Sequence, residues 1–190
     1  MASEHDHPSD QALARLVQPG SPVYFTGCLP SLPAHLHPKV EAPILQMTYA
    51  RQASAPGTSP VVVRDLGEGD VPAMLALTAL VYPEFFRQRT RAMGRYVGVF
   101  DGDALVAMGG ERFRLQRHQE VSAICTHPSY TGRGCAHAIV RNLVESILDR
   151  RLTPILHLAT DNHRARAVYS SLGFVERTEL RLLKAESRAE

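Results

Sequence analysis

The 190-residue chain carries 21 basic against 19 acidic residues, a formal charge of +2, and 44% hydrophobic residues. That content can bury a sizeable core in one domain, or in one domain with a small appendage. A balance so near neutral gives no reason to expect a nucleic-acid or membrane partner, and any positive patch must be local. The opening segment MASEHDHPSDQALARL is acidic and has no apolar run, so it reads as neither secretory signal nor membrane anchor. No later stretch reaches the roughly 18 apolar residues of a spanning helix. Cys28, Cys125 and Cys135 match no zinc or redox spacing, which fits a reduced, cytoplasmic protein without a bound metal.

In chain order, residues 1–20 read as a flexible tail and 21–59 as a small strand-containing appendage and linker. The main domain spans 60–185 and a short tail 186–190. In the appendage, PVYFTG and ILQMTYAR are strand-like runs separated by a Pro- and His-containing loop. RQASAPGTSP buries little, breaks regular structure and reads as the linker. A β-branched run at 61–64 follows. Asp70 then stands where it can cap a helix whose apolar residues Val71, Met74, Leu75 and Leu77 recur at helical spacing. A second short helix is expected over 85–93.

RYVGVF, ALVAMGG with ERFRL, and EVSAICT form three consecutive antiparallel strands, the first turn marked by Asp101-Gly102. Residues 134–150 read as a long amphipathic helix, with Ala136, Ile139, Val140, Leu143, Val144, Ile147 and Leu148 on its apolar face. PILHLAT is a buried strand, 162–172 a helix ended by Gly173, and 174–183 the last strand.

The chemistry is concentrated in ICTHPSYTGRGCAHAIV, where a strand stops at Pro128, a glycine-containing turn follows and a helix begins. Such a turn aims unpaired backbone N–H groups and the positive end of the helix dipole at one point. Gly132 and Gly134 let a phosphate approach the backbone closely. Alone, this pattern serves equally as a tight structural turn. It is not a P-loop, because no Lys-Ser/Thr follows, and antiparallel strands precede it, unlike a dinucleotide βαβ unit. Downstream, NHRARAVYSSLGF places Asn162, Ala165 and Tyr169 on one helical face before Gly173 and Phe174.

This pair of motifs resembles the GCN5-related N-acetyltransferase (GNAT) superfamily, and more narrowly its FR47-like members. The family pattern [QR]xxGx[GA] aligns with Thr131–Ala136, and NxxAxxxYxxxGF with Asn162–Phe174. Thr131 departs from the usual Gln or Arg, losing a long side chain but keeping a backbone N–H. The resemblance covers 61–183 and implies an α/β (α+β) acyl-CoA N-acyltransferase fold, a mostly antiparallel mixed sheet flanked by helices.

The resemblance also implies acetyl-CoA as acyl-donor substrate, an amine acceptor and no metal, and such proteins often form homodimers. Main-chain groups of Ile124, Cys125 and Thr126 are expected to meet pantetheine at a splayed strand edge. Thr131, Gly132, Arg133, Gly134, Cys135 and Ala136 are expected to hold the pyrophosphate. Asn162 is expected to contact the pantetheine arm and Tyr169 to face the sulfur. Direct attack by the amine needs a proton acceptor, an oxyanion donor and an acid for the thiolate. Tyr169 suits the last role, a main-chain N–H near Ile124 the second, and Glu111 or Glu120 the first.

His157, on a buried strand, reads as a core histidine, Cys125 and Cys135 as packing residues, and the 5/7 and 35/37 histidine pairs as loop residues. A non-catalytic acyl-CoA binding module is the alternative reading. The acceptor has no motif.

Overall fold

A computed structural model describes residues 17, 22–27, 32, 36–50, 60–83 and 85–187. Most of the expected tail over 1–20, the linker over 51–59, Cys28, the His5/His7 pair, His35 and residues 188–190 lie outside the described residues.

The chain divides into two compact units that interleave in sequence. One comprises residues 1–46, 158–162 and 178–190, the other 47–157 and 163–177. In the first, β1 (Val23–Thr26) pairs antiparallel with the C-terminal strand β8 (Phe174–Ser187), Val23 opposite Ala185 and Thr26 opposite Leu182. β2 (Leu36–Tyr49) lies beside β8 in strand order. Its first half is strand where the sequence leads one to expect loop. Leu36 is buried, while His37–Glu41 are exposed, so the strand continues through two prolines with little apolar signal to announce it. Val17, Leu36 and Ala185 form a small core here, with Val23, Phe25 and Leu32 against it. The N-terminal strand is thus built onto the C-terminal one.

The second unit holds β3 (Arg64–Asp65), α1 (Val71–Val81), β4 (Tyr96–Asp101), β5 (Ala104–Arg114), β6 (His118–Thr126), α2 (Cys135–Asp149), β7 (Thr153–Ala159, its last two residues outside the unit) and α3 (His163–Ser171). The strands run in the order β7-β6-β5-β4-β3. β3 to β6 are antiparallel neighbours, and β7 joins β6 in parallel, so the sheet is mixed as expected.

Two local expectations are corrected. Asp70 does not cap α1 with its side chain; its carboxylate accepts from the Gly67 N–H at 2.7 Å and pairs with Arg64 at 2.9 Å, closing the 3-10 turn before the helix. The helix expected over 85–93 is only a 3-10 turn at Thr90–Met93. There the Thr90 hydroxyl accepts the Arg87 N–H at 2.8 Å, and Phe86 supplies one buried anchor rather than a stripe.

The two long helices cover opposite faces of β5. A Cβ at Gly109 would meet Ile124 of β6 and Ile139 of α2 at 2.2 and 2.7 Å, whereas one at Gly110 would meet the Tyr96 ring at 2.3 Å. Successive strand residues alternate faces, and Tyr96 belongs to the core that includes Met74 and Leu77 of α1. Odd residues of this stretch therefore look toward α2 and even ones toward α1. That alternation sorts the candidate site residues.

Candidate functional site: an open strand edge, a phosphate turn and a polar cluster

β6 pairs with β7 over three residues, His118, Gln119 and Glu120, which stand opposite Thr153, Pro154 and Ile155. It then runs on as strand to Thr126. On its other side it stays paired with β5 to the end, Met108 opposite Cys125 and Ala107 opposite Thr126. Ala123 has φ +55°, a left-handed conformation inside a strand, and marks the bulge at which the register against β5 shifts. The segment 121–126 therefore has an edge that β7 does not pair, including the three residues expected to meet a strand-like ligand.

Beyond β6, His127 caps a 3-10 turn (Pro128–Tyr130), its Nδ1 accepting from the Ser129 N–H at 3.2 Å. The Tyr130 hydroxyl donates to Asp101 at 2.5 Å, which ties this turn to the end of β4, and Arg133 lies 4.6 Å from the Tyr130 ring centre. Gly132 and Gly134 both have φ +80°, and an added Cβ at either would meet nothing within 4 Å. The turn is thus open on the side of its glycines. Gly134 is the N-cap of α2 and supplies no side-chain cap, so the helix's first N–H groups have no capping side chain. Thr131 is less free than expected: its N–H reaches Pro128 O at a long 3.4 Å, and its hydroxyl donates to the same oxygen at 3.0 Å. Cys135 is buried and Ala136 half-buried. These residues fit a diphosphate: backbone donors, a positive helix end and no side chain in the way.

Tyr169 lies on α3, buried, with its ring 6.1 Å from that of Phe174. Burial raises its phenol pKa well above the ordinary value, with smaller contributions from Tyr82 and Cys125, so the hydroxyl keeps its proton. Cys125 is a thiol, pushed up to about 12 by burial. Asn162 stands one residue before α3, exposed, its N–H donating to Ala159 O at 3.0 Å.

The two carboxylates expected as proton acceptors part company. Glu111 faces α2, where Arg150 donates to it just beyond the helix's end. Glu120 faces α1 and is 1% exposed. Arg112 grips it with two hydrogen bonds of 2.8 and 2.7 Å, and Nδ1 of His157 lies 2.8 Å from Oε1. Burial alone would raise its pKa, but the hydrogen bonds from Arg112 and then His157 hold it at about 2. Each carboxylate is already engaged by a guanidinium, so a direct proton-accepting role fits neither geometry.

Around this pair stand groups that the sequence did not single out. Tyr82, at the C-terminal end of α1, is pushed up to about 12 by burial, and its other electrostatic partners are Cys125, Arg112 and Glu120. Tyr96 is 2% exposed, its ring 5.6 Å from Phe86, and its hydroxyl has no hydrogen-bond partner among the described residues. A buried hydroxyl in that state costs about 1–3 kcal/mol, which suits a group that meets a ligand. Burial raises its pKa too, and Tyr82, Arg112 and Glu120 act on it. The available signals were two: an aromatic residue opposite a Gly-Gly pair, and a lone histidine among leucines on β7, which as a buried polar group requires a partner.

An FR47-like protein family model matches residues 96–182. The chain is 32% identical over 129 residues to N-alpha-acetyltransferase RimI of Mycobacterium tuberculosis (strain ATCC 25618 / H37Rv), covering 62% of this chain and 80% of the relative. A crystal structure of an acetyltransferase of the GNAT family from Novosphingobium aromaticivorans superimposes with TM-score 0.80 at 30% identity, over 95% of this chain and 81% of that one. A second similar structure, Rv2747 of Mycobacterium tuberculosis in complex with CoA and NLQ, shares the fold with TM-score 0.51 at 22% identity, over 62% and 73% of the two chains. The chain belongs to the GNAT superfamily of acetyltransferases, in its FR47-like branch.

Proposed function

We propose that the enzyme moves an acetyl or other short acyl group from acetyl-CoA to a primary amine by direct attack, with both substrates bound together. The observation that carries this reading is the unpaired edge of β6 leading into the open glycine turn at the start of α2. One strand edge offers amide partners to pantetheine at Ile124, Cys125 and Thr126, and the turn from Thr131 to Ala136 is the seat of the pyrophosphate, its backbone donors coming from Gly132 onward because Thr131 donates to Pro128. Arg133 adds a positive charge beside it. Asn162 is assigned to the pantetheine arm and Tyr169 to the sulfur.

When bound, acetyl-CoA supplies the activated carbonyl and a thiolate leaving group. The chain supplies the rest. The left-handed residue Ala123 reorients the backbone just before Ile124, which gives that N–H a direction a regular strand would not, and makes it the candidate donor to the developing oxyanion. Tyr169, with its proton held firmly by burial, is the donor to the departing thiolate. An α-amino group is the favoured acceptor, since the relative with 32% identity is an N-alpha-acetyltransferase. Free thiols at Cys125 and Cys135 suit a reducing compartment such as the cytoplasm.

Calorimetric titration tests the donor half. Acetyl-CoA should bind far more tightly than ADP, and Gly134→Glu should abolish binding, because the new side chain strains a backbone at φ +80° and places negative charge at the phosphates. Absence of binding to the wild type would defeat the proposal. Thiol release with short peptides bearing a free α-amine then tests the acceptor.

A further inference from the structure

We infer that the acceptor is a polypeptide with acidic residues a few positions after its α-amine, and that two arginine-bearing segments beside the open edge of β6 hold them. The inference rests on the acetyl-transfer reading above and adds the class of acceptor to it.

The nearly neutral total charge conceals an uneven distribution. Residues 85–95 carry four arginines and residues 112–119 three, and neither segment contains an aspartate or glutamate. Glu84, just before the first, lies outside the described residues. The carboxylates that border the second are engaged, Glu111 by Arg150 and Glu120 by Arg112. Arg95 is held by Asp65 at 2.7 Å, and Arg91 donates to Leu66 O at 3.3 and 3.2 Å. Arg87, Arg89, Arg114 and Arg117 remain, exposed and with no side-chain partner among the described residues.

The fold joins the two segments and sets them beside the site. The 3-10 turn at Thr90–Met93 packs against β5. A Cβ at Gly94 would lie 2.7 Å from Glu111 O, and the Glu111 N–H donates to Arg95 O at 2.8 Å. Glu111 stands opposite Val121, the first residue of β6 that β7 leaves unpaired. Ile124 is three residues further on, roughly 10 Å along the strand. The cofactor is assigned to 124–126 and the turn beyond, so an acceptor whose amine meets the acyl carbon near Ile124 has the opposite direction left to it, toward Val121 and the arginines. An extended peptide advances about 3.3–3.6 Å per residue, which brings its side chains over the two segments from about the fourth residue onward.

Arginines that only solubilise a surface are interspersed with carboxylates. Here two stretches distant in sequence, both free of carboxylates, meet next to the unpaired edge. Phe85, Met93, Phe113 and Leu115 are exposed among them, which suits a polypeptide bringing apolar side chains between its acidic ones. A single-stranded nucleic acid would call for open aromatic platforms. The exposed rings are instead engaged within the protein, Phe113 with the Arg112 guanidinium 4.5 Å from its centre and Phe85 with the Tyr82 ring at 6.1 Å.

The test reads binding and turnover separately on the full chain. Two C-terminally labelled peptides with the same free α-amine are compared by fluorescence anisotropy without acetyl-CoA, one with glutamates from about the fourth to the eighth residue and one with glutamines there. The glutamate peptide should bind at least about 10-fold more tightly at low salt and lose that advantage as salt is raised. Replacing three of the arginines together, by Arg89→Glu, Arg114→Glu and Arg117→Glu, should reverse the order of the two peptides while calorimetric affinity for acetyl-CoA is kept. Thiol release should show the same preference in the wild type, carried by KM rather than kcat. Equal binding of the two peptides at low salt overturns the inference, whether or not the variant folds. So does a folded variant that still prefers glutamate, or a single-stranded RNA of matched length that displaces the glutamate peptide. Wild-type protein that fails to bind acetyl-CoA overturns the acetyl-transfer reading beneath it instead, whatever the peptides do.

Discussion

Glu120 shows how little a residue's type says about its role until its partners are known. In sequence it is one carboxylate on a strand, equivalent to Glu111, and both are candidate bases. Face alternation separates them: Glu111 goes to Arg150 near the end of α2, Glu120 to Arg112 and His157. Its pKa is lowered from the ordinary carboxylate range to about 2. A carboxyl depressed on folding contributes stability that is complete above its unfolded pKa and is lost as the pH falls through the folded one. The wild type should therefore lose on the order of 3 kcal/mol from this group between about pH 4.5 and pH 2. Urea melts across that window should show a flatter decline in Glu120→Gln, while equal slopes would mean that the pairing is weaker than its geometry implies. The contacts that join Arg112, Glu120 and His157, and the buried hydroxyl of Tyr96, had no signal in the sequence. Their meaning lies in contacts between strands far apart in sequence, whereas Gly132, Gly134 and Tyr169 sit in local patterns whose spacing is itself the signal.

Among the elements, those with strong periodicity were legible. α2 buries Ala138, Ile139, Val140, Leu143, Val144 and Ile147, nearly the face its spacing marks out, and Asp101-Gly102 turns the β4–β5 hairpin with Gly102 at φ +56°. The first half of β2 and the segment 85–93 were not legible, because exposed or turn-forming residues there leave no apolar period to read. The open edge of β6 was expected from resemblance, yet the bulge at Ala123 that accompanies it has no sequence mark, since alanine seldom adopts positive φ. A ligand lying along that edge should protect its amides. Hydrogen exchange at Ile124 to Thr126 should slow on adding acetyl-CoA, with exchange in β4 unaffected. Unchanged exchange across 124–126 would place the pantetheine elsewhere.

Taken as a whole, the molecule uses its chain ends together. Four residues of β1 cover one side of β8 with a continuous register from Val23↔Ala185 to Thr26↔Leu182, and the Gly27 N–H extends the contact to Arg181 O at 3.1 Å. Removing residues 1–27 would leave that side of the last strand bare, and a bare strand edge recruits other chains. Such a truncation should melt at lower temperature and form larger species at high concentration by light scattering. A truncated chain that stays monodisperse with an unchanged Tm would show the N-terminal strand to be dispensable. None of the described helices is long and apolar enough to cross a membrane. The adjacent glycines of β5 carry a further implication. Gly109 yields its space to Ile124 and Ile139, and Gly110 yields its own to the Tyr96 ring, so the sheet is thinnest where the two helical layers close on it from opposite sides. Drift at these sites is therefore coupled: a methyl group gained at 110 demands a smaller ring at 96, and one gained at 109 demands that the side chains at both 124 and 139 give way. Variation in the descendants of such a sequence should be correlated within each face of the sheet at this spot, with the strand's two faces evolving independently of each other.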